Sequence, residues 1–245
     1  MQFNKFITYK QFGNQAVLIA WPVKIDEVIL ADILQFKTKI HIAFQGEIQD
    51  LIVGYNSLTL IFKEDIIDFN SIKEKLQQLY HQVTNVTPQE NYIWEIPVCY
   101  DVTFGIDLKE MSTNLRLSEQ EIIHIHSSTL YTVFFIGFLP GFLYLGGLDK
   151  RLHFDRKPKP RLNVAKGTVA IGGKQTGIYP QQSAGGWNCI GKTPISFFDI
   201  NKELPCFAKA GDKIKFTPIS KKEFDAISAK VVHRKFKLIK SVIHA

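Results

Sequence analysis

Cysteine and methionine are scarce in this sequence, with three cysteines and two methionines in 245 residues. Cys99, Cys189 and Cys206 stand far apart and form no Cys-x-x-Cys pair. This pattern excludes a disulfide framework and offers no zinc-binding spacing, so we expect no metal site. An odd number of cysteines without a signal peptide is typical of reduced thiols, and we therefore expect a cytoplasmic protein.

Charge is missing from residues 129–148, a stretch of 20 residues that is long enough to cross a bilayer. Gly137, Pro140, Gly141 and Gly146 interrupt it, and no basic cluster flanks it. A Pro-Gly pair in the middle of an apolar run predicts a turn between two buried strands. We expect core structure here, and no membrane span.

Basic residues outnumber acidic ones, 30 to 23, which gives a net charge of +7. They are scattered, and only residues 156–161 and 230–240 concentrate them. Neither run alternates with aromatic residues as nucleic-acid-binding modules do, so we expect no nucleic-acid partner. A positive field that attracts anionic small molecules or an acidic partner fits the distribution better.

The first part of the chain alternates short apolar runs with helical patterns. Residues 16–20, 48–55 and 58–62 predict strands, and residues 26–39 and 68–82 predict helices, the second of which Asp68 or Asn70 can cap. The resulting β-α-β-β-α order resembles a split βαβ unit. We therefore predict a small α+β domain over residues 1–88.

A polar connection at residues 84–91 separates this domain from a second one, residues 89–245. Residues 93–100 predict a strand, and the pairs Asp107/Glu110 and Ser118/Glu121 predict two short helices with capping boxes. Beyond residue 128, Gly and Pro interrupt short strands every eight to twelve residues, as in closed or sandwiched β-structures.

The end of the second domain carries further strand patterns. Residues 195–198 predict a strand, Gly211-Asp212 predicts a turn before a strand at residues 213–216, and the alternation at residues 235–239 predicts a final strand in a basic tail.

Residues 186–193 match the phosphate-loop pattern Gly-x-x-x-x-Gly-Lys-Thr. That motif requires a buried strand before it and a helix after it, whose N-terminus receives the phosphate. Here Pro180 precedes, Pro194 follows, and the bulky Trp187 lies inside the loop. The match is interpreted as a coincidence.

Two kinds of residue could carry chemistry. Arg156 and Arg161 flank a proline-stiffened basic loop, and the planar guanidinium binds a carboxylate through two hydrogen bonds; a solvated basic loop is the alternative. His126 lies on the inward face of the helix that begins at Ser118. An inward histidine is either a hydrogen-bonded core residue or a general acid/base.

The second domain resembles the family of the B component of 5-oxoprolinase, which includes the kinase inhibitor KipI and the domain called allophanate hydrolase subunit 1. The resemblance departs at Ala184 and Asp155, where the family usually has proline. The matching segments follow the family order along nearly the whole domain: residues 97–100, Asp107-Leu108, His126-Ser127, residues 137–142, Pro160-Arg161, residues 167–173, 175–180, 185–187, 190–194 and 211–212.

The resemblance implies an α+β N-terminal domain followed by a mainly-β, cyclophilin-like barrel. It also implies the B component of an ATP-dependent 5-oxoprolinase, which works with subunits A and C, converts 5-oxo-L-proline to L-glutamate and is inactive alone. The site it implies uses Arg161 or Arg156 for the substrate carboxylate and His126 as the acid/base. The remaining site residues are donors and pocket walls: Gln175, Thr193, Gly185, Gly186, Tyr179 and Trp187.

Two alternatives stay open at this stage. A KipI-like protein would bind a sensor histidine kinase and need no catalytic residues. Half of a biotin-dependent carboxyltransferase is the other alternative, although the sequence has no biotin-attachment segment.

Overall fold

The computed structural model describes residue 3, residues 6–83 and residues 90–243. The chain divides into two compact units, Met1–Gln89 and Glu90–Ala245. The predicted boundary between residues 88 and 89 lies outside the described residues. None of the described helices is both long enough and apolar enough to traverse a membrane.

The first unit is a four-stranded antiparallel sheet with two helices, in strand order β1-β2-β4-β3. Strands β2 and β3 both pair antiparallel with β4, so they run parallel to each other with β4 between them, the arrangement of a split βαβ unit. The elements are β1 (Thr8–Gln11), β2 (Ala16–Ala20), α1 (Glu27–Ala43), β3 (Ile48–Val53), β4 (Ser57–Phe62) and α2 (Phe69–His81).

Acidic N-caps begin both helices of this unit, and the cap of the second helix is Asp68, one of its two predicted candidates. Asp26 accepts a hydrogen bond from the Val28 amide, and Asp68 accepts from the amides of Asn70 and Ser71. Such caps satisfy amides that the helix leaves unpaired. Strand β1 was not predicted, because its exposed residues lack the apolar alternation that marks a half-buried strand.

The second unit contains an eight-stranded sheet in the order β12-β9-β10-β7-β6-β13-β5-β14 and a separate two-stranded antiparallel sheet, β11-β8. Its elements are β5 (Tyr92–Val98), α3 (Leu108–Leu115), α4 (Glu119–Ser128), β6 (Leu130–Ile136), β7 (Leu143–Gly146), β8 (Arg161–Val164), β9 (Thr168–Gly172), β10 (Gln175–Ile178), β11 (Ser183–Gly185), β12 (Asn188–Lys192), β13 (Lys213–Pro218), α5 (Lys221–Val232) and β14 (Ile239–Val242).

The large sheet curls back on itself. A bridge connects Lys192 in the edge strand β12 to Cys99, just after β5, which is next to the other edge strand; its two backbone hydrogen bonds are 2.8 and 2.9 Å long. Buried apolar side chains such as Ile96, Val133 and Ile171 fill the inside of this curl. The chain is thus a mixed α/β protein with one large sheet.

Several predictions about this unit are confirmed. The uncharged residues 129–148 form β6 and β7, joined by a turn in which Gly141 has φ +82°. The Ser118/Glu121 capping box is present, and Gly211, with φ +91°, turns the chain into β13. These features were predictable because each depends on neighbours in the sequence.

Two other predictions are wrong, and a third has the wrong bounds. The Asp107 side chain makes no cap hydrogen bond, so the Asp107/Glu110 capping box is absent. Residues 195–198 contain no strand. In the basic tail, the predicted final strand is present as β14 but begins only at Ile239, and the unpredicted helix α5 comes before it.

Candidate functional site

A buried carboxylate, Asp107 at the start of α3, lies at the centre of an ionic cluster in the second unit. Its Oδ1 accepts from Arg161 Nη2 at 2.6 Å and lies 3.2 Å from Lys157 Nζ. Its Oδ2 accepts from the Cys189 amide at 2.7 Å. Lys157 also pairs with Glu110, one turn further along α3. Both carboxylate oxygens are thereby satisfied, although the Asp107 side chain is only 3% exposed.

Charge in this cluster is balanced between two cations and two anions. Burial acts to raise the pKa of Asp107, but hydrogen bonds from Arg161, the Cys189 amide and Lys157 outweigh it and lower that pKa. Burial acts to lower the pKa of Lys157, and its bonds to Glu110 and Asp107 raise it. Asp107, Lys157 and Arg161 are therefore charged at neutral pH.

Burial raises the pKa of the Cys189 thiol to about 11, with the charge of Asp107 adding to the effect. A thiol in this state is inert.

The ionic cluster joins elements that are distant in sequence. Arg161 opens β8, which pairs with β11 through a register shift between Ser183 and Gly185. Lys157 precedes it in an irregular segment, residues 155–161, which we call the arginine loop. Folding of the sheet is what brings this loop to the start of α3, because the two lie about fifty residues apart in sequence.

The arginine loop is also held by backbone contacts on its other side. The side-chain Nδ2 of Asn188 donates to the Asp155 backbone carbonyl at 2.8 Å, and the Lys157 backbone amide donates to the Gly186 carbonyl at 2.6 Å. Arg156 sits between these two anchored residues. Its guanidinium lies 5.6 Å from the centre of the Trp187 ring, which is a cation–π contact.

Trp187 lies on the face of the sheet that carries Phe142, Tyr179 and Cys189, which we call the tryptophan face. Its ring meets Phe142 edge-on at 5.7 Å and covers two glycines. A Cβ atom at Gly172 would lie 2.5 Å from the Trp187 ring, and one at Gly177 would lie 3.1 Å from it. Glycine is therefore required beneath the indole.

Tyr179 closes the same face beside Gly185. A Cβ atom at Gly185 would collide with the Tyr179 hydroxyl, so only glycine allows β11 to pass so close. Burial is the main cause that raises the pKa of Tyr179, and the phenol stays neutral. Gly186 accepts the Lys157 amide and has the Pro160 ring at 3.7 Å from its Cβ position.

The two remaining predicted site residues, Gln175 and Thr193, lie in different parts of the second unit. Gln175 pairs in register with Gly172, and strand alternation puts it on the face of Gly177 that Trp187 covers. Thr193 is 2% exposed, accepts from the Ile195 amide at 3.3 Å and donates its own amide to Gly167. The structure thus groups Gln175 with the tryptophan face, while Thr193 serves the turn after β12.

His126 is fully buried on the opposite, inner side of the sheet and stacks on Phe216 at 4.6 Å. Its Nε2 lies 2.8 Å from Thr176 Oγ1, whose hydroxyl donates to the Ala170 carbonyl. Thr176 must then accept from Nε2–H, which leaves Nδ1 to accept from the Tyr100 hydroxyl at 2.8 Å.

Burial lowers the pKa of His126 to about 3. A neutral imidazole with both nitrogens engaged and no exposed surface has no access to a substrate. These contacts favour the core interpretation of His126 and give no support to its predicted acid/base role.

Sequence reasoning missed Asp107, Lys157, Glu110 and Asn188 as site residues. Asp107 belongs to a family-matched pair, but its position before a helix led to the cap interpretation. A carboxylate within three residues of a helix start is ambiguous in sequence, because only the fold shows whether it faces the helix amides or a distant cation.

Comparison with known proteins defines the family. Residues 7–208 match the model of the carboxyltransferase domain, subdomain C and D. The chain belongs to this family. The match covers β1 through the segment after β12, so the ionic cluster, the arginine loop and the tryptophan face all lie inside it.

Within the family, the chain is similar to proteins named as the B component of 5-oxoprolinase. That of Bacillus subtilis (strain 168) is 35% identical over 230 residues, which cover 89% of this chain and 95% of the relative. That of Haemophilus influenzae is 42% identical over 172 residues, which cover 70% of this chain and 80% of the relative.

Solved structures agree on the fold. TTHA0988 matches with a TM-score of 0.73 and 29% identity over 84% of this chain, which spans 40% of that longer protein. The Kluyveromyces lactis urea amidolyase matches with a TM-score of 0.80 over 97% of this chain, which spans 16% of that protein. At 18% identity, this second likeness concerns the fold alone.

Proposed function

We propose that this chain is the B component of a multi-subunit, ATP-dependent 5-oxoprolinase that hydrolyses 5-oxo-L-proline to L-glutamate. The observation that carries the proposal is the similarity to relatives of that name, which extends over most of this chain and most of the relative. The tryptophan face and the arginine loop support it, because they combine apolar walls with an anion-binding cation.

Opening a lactam that carries a carboxylate makes clear demands on a site. It needs a cation for the carboxylate, donors for the oxygen that gains negative charge, and walls that exclude water. Arg161 is engaged by Asp107, so we assign the carboxylate to Arg156. In the part of the chain that the structure describes, Arg156 has no carboxylate partner.

The other roles follow from position. Trp187 and Tyr179 form walls, and backbone amides near Gly185 and Gly186 together with Gln175 are the proposed donors. We assign the acid/base role first predicted for His126 to a group supplied by the assembled enzyme.

The proposal extends to the fold, the location and the assembly of this chain. We propose a cyclophilin-like barrel for the curled sheet, cytoplasmic location, and assembly with subunits A and C.

Residues 186–193 pass through β12 and are followed by Pro194 with no helix directly after it, so they do not form a phosphate loop. We therefore place ATP on another subunit of the assembly.

The test is ATP-dependent release of glutamate by the three co-purified subunits. Arg156→Ala should raise the KM for 5-oxoproline about tenfold or more, because a charge-assisted hydrogen bond contributes about 1.5–3 kcal/mol. Lys159→Ala is the matched control, since it removes an exposed cation from the same loop and should leave KM within about twofold.

Two failures of this test have different meanings. Absence of glutamate release by the wild-type assembly contradicts the function. Release with an unchanged KM for Arg156→Ala contradicts the site.

A carboxyltransferase function is a second candidate, because the family model carries that description and the urea amidolyase shares the fold. It predicts ATP turnover that depends on bicarbonate and stops when avidin sequesters biotin. ATP turnover that depends on 5-oxoproline and ignores avidin would rule this candidate out.

A further inference from the structure

We infer that Asp107 is a positioning residue, which fixes the arginine loop and thereby presents Arg156 over Trp187. The kinetic part of this inference rests on the proposed function, whereas its structural part does not. Asp107 itself lies within the ionic cluster, and it acts through Lys157 and Arg161.

The first step is that Asp107 anchors the loop at two points. Arg161 at the end of the loop donates to Oδ1 at 2.6 Å, and Lys157 next to Arg156 lies 3.2 Å from the same oxygen. Glu110 holds Lys157 alone and is 53% exposed, so it contributes less. Among the described residues, Asp107 is the carboxylate that contacts both Lys157 and Arg161.

The second step is that Asp107 also connects the loop to β12. Its other oxygen accepts from the Cys189 amide at 2.7 Å, two residues beyond Trp187. One carboxylate therefore ties together the loop that carries Arg156 and the strand that follows Trp187. A shift at Asp107 changes the distance between the two partners of the cation–π contact.

The third step concerns the cost of removing the charge. An amide in place of the carboxylate keeps the shape but leaves Arg161 and Lys157 next to a group with no negative charge. One side-chain oxygen would become an NH₂ group that faces either a cation or the Cys189 amide, each of which is itself a donor. Asp107→Asn should therefore release the loop on this side, while the contacts of Asp155 and Lys157 with β12 and Gly186 remain.

A spectroscopic test reports on this positioning without any activity. The indole N–H resonance of Trp187 can be identified by its loss in Trp187→Phe. Arg156→Ala sets the shift expected when the guanidinium leaves the ring. Asp107→Asn should move the resonance in the same direction, by about half of that shift or more.

A matched control separates positioning from general destabilisation. Asp212 is a fully buried carboxylate in the same unit, and it accepts from the Tyr92 amide and from Trp94 Nε1. Asp212→Asn should move the Trp94 resonance and leave that of Trp187 in place. If Asp107→Asn does not fold, Lys157→Gln removes one of the two ion pairs of Asp107 and should give a smaller shift in the same direction.

The kinetic test uses the assembled enzyme. Asp107→Asn should raise the KM for 5-oxoproline about tenfold, with a smaller change in kcat, because the binding cation is displaced. Asp107→Glu restores the carboxylate and should return KM to within about threefold of the wild-type value.

An unmoved Trp187 resonance in folded Asp107→Asn or Lys157→Gln would overturn the inference, whatever the substrate is. If Asp107→Asn and Asp107→Glu raise the KM equally and the Trp187 resonance does not move, Asp107 has a structural role only. If the resonance moves but no assembly releases glutamate, the positioning role stands and the proposed function fails.

Discussion

At the scale of single residues, the candidate site depends on which cations are already neutralised. Arg156, Lys157 and Arg161 are basic side chains of one loop, but Lys157 and Arg161 each pair with a carboxylate at the start of α3. Arg156 alone of the three lies against an aromatic ring. An arginine stacked on an indole keeps its donors available to an incoming carboxylate, since the contact uses the π face and not the N–H groups.

His126 allows a prediction about pH at this scale. The unfolded imidazole takes up a proton near its ordinary pKa of about 6.5, whereas the folded one does so only near pH 3. Its stabilising effect is therefore complete above pH 6.5 and is lost as the pH falls towards 3. The free energy of unfolding should drop by up to about 1.4 kcal/mol per pH unit in this window.

Urea denaturation at several pH values from 7 to 4 measures this slope. His126→Asn should lower stability at pH 7, because it leaves the Tyr100 and Thr176 hydroxyls with a poorer partner, and it should flatten the slope. His124→Asn, at an exposed position of the same helix, should keep the wild-type slope. An equal slope in His126→Asn and the wild type would contradict a buried neutral imidazole.

At the scale of elements, β12 decides how the Gly-x-x-x-x-Gly-Lys-Thr pattern is used. Its residues pair with β9, with a register shift between Cys189 and Gly191. Lys192 leaves the strand towards the ring of Phe104, 5.3 Å from its centre. Lys192 is the last residue of a β-strand and does not lie at a helix N-terminus. It therefore lacks the free helix amides that bind a phosphate.

Lys192→Gln therefore tests the interpretation of the whole element. We expect the assembled enzyme to keep its KM for ATP within about twofold, because a surface cation–π contact contributes only about 0.5–1 kcal/mol. Initial rates at varied ATP concentrations measure this. A loss of ATP use by a hundredfold or more would restore the phosphate-loop interpretation.

At the scale of the whole molecule, charge is divided unevenly between the two units. The second unit holds 22 of the 30 basic residues and 14 of the 23 acidic ones, so the positive net charge belongs to it. The arginine loop lies in this unit. A positive field there favours the approach of an anionic substrate or an acidic partner, and added salt weakens it.

We expect the isolated chain to release no glutamate from 5-oxoproline and to hydrolyse no ATP. The reason is that coupled lactam opening needs a phosphate-binding element, and the one matching pattern in this chain is a β-strand. Assays of the purified chain, before and after addition of the other subunits, measure this. Sustained ATP hydrolysis by the chain alone would contradict it.

Local sequence determined the parts of this protein that depend on neighbouring residues. The acidic caps at Asp26 and Asp68, the capping box at Ser118 and the Pro-Gly turn before β7 all follow from short-range hydrogen bonding and backbone preference. The family motifs likewise indicated which stretch of the chain carries the site.

Tertiary structure alone decided which charges meet. Asp107 and Arg161 are 54 positions apart, and only the curl of the sheet makes them partners, which turned a predicted helix cap into the anchor of the arginine loop. The same closure put His126 inside the core and Arg156 outside on Trp187. The physical reason is that the Coulomb energy and desolvation of a charged group depend on its distance to other groups in space, and separation along the chain does not fix that distance.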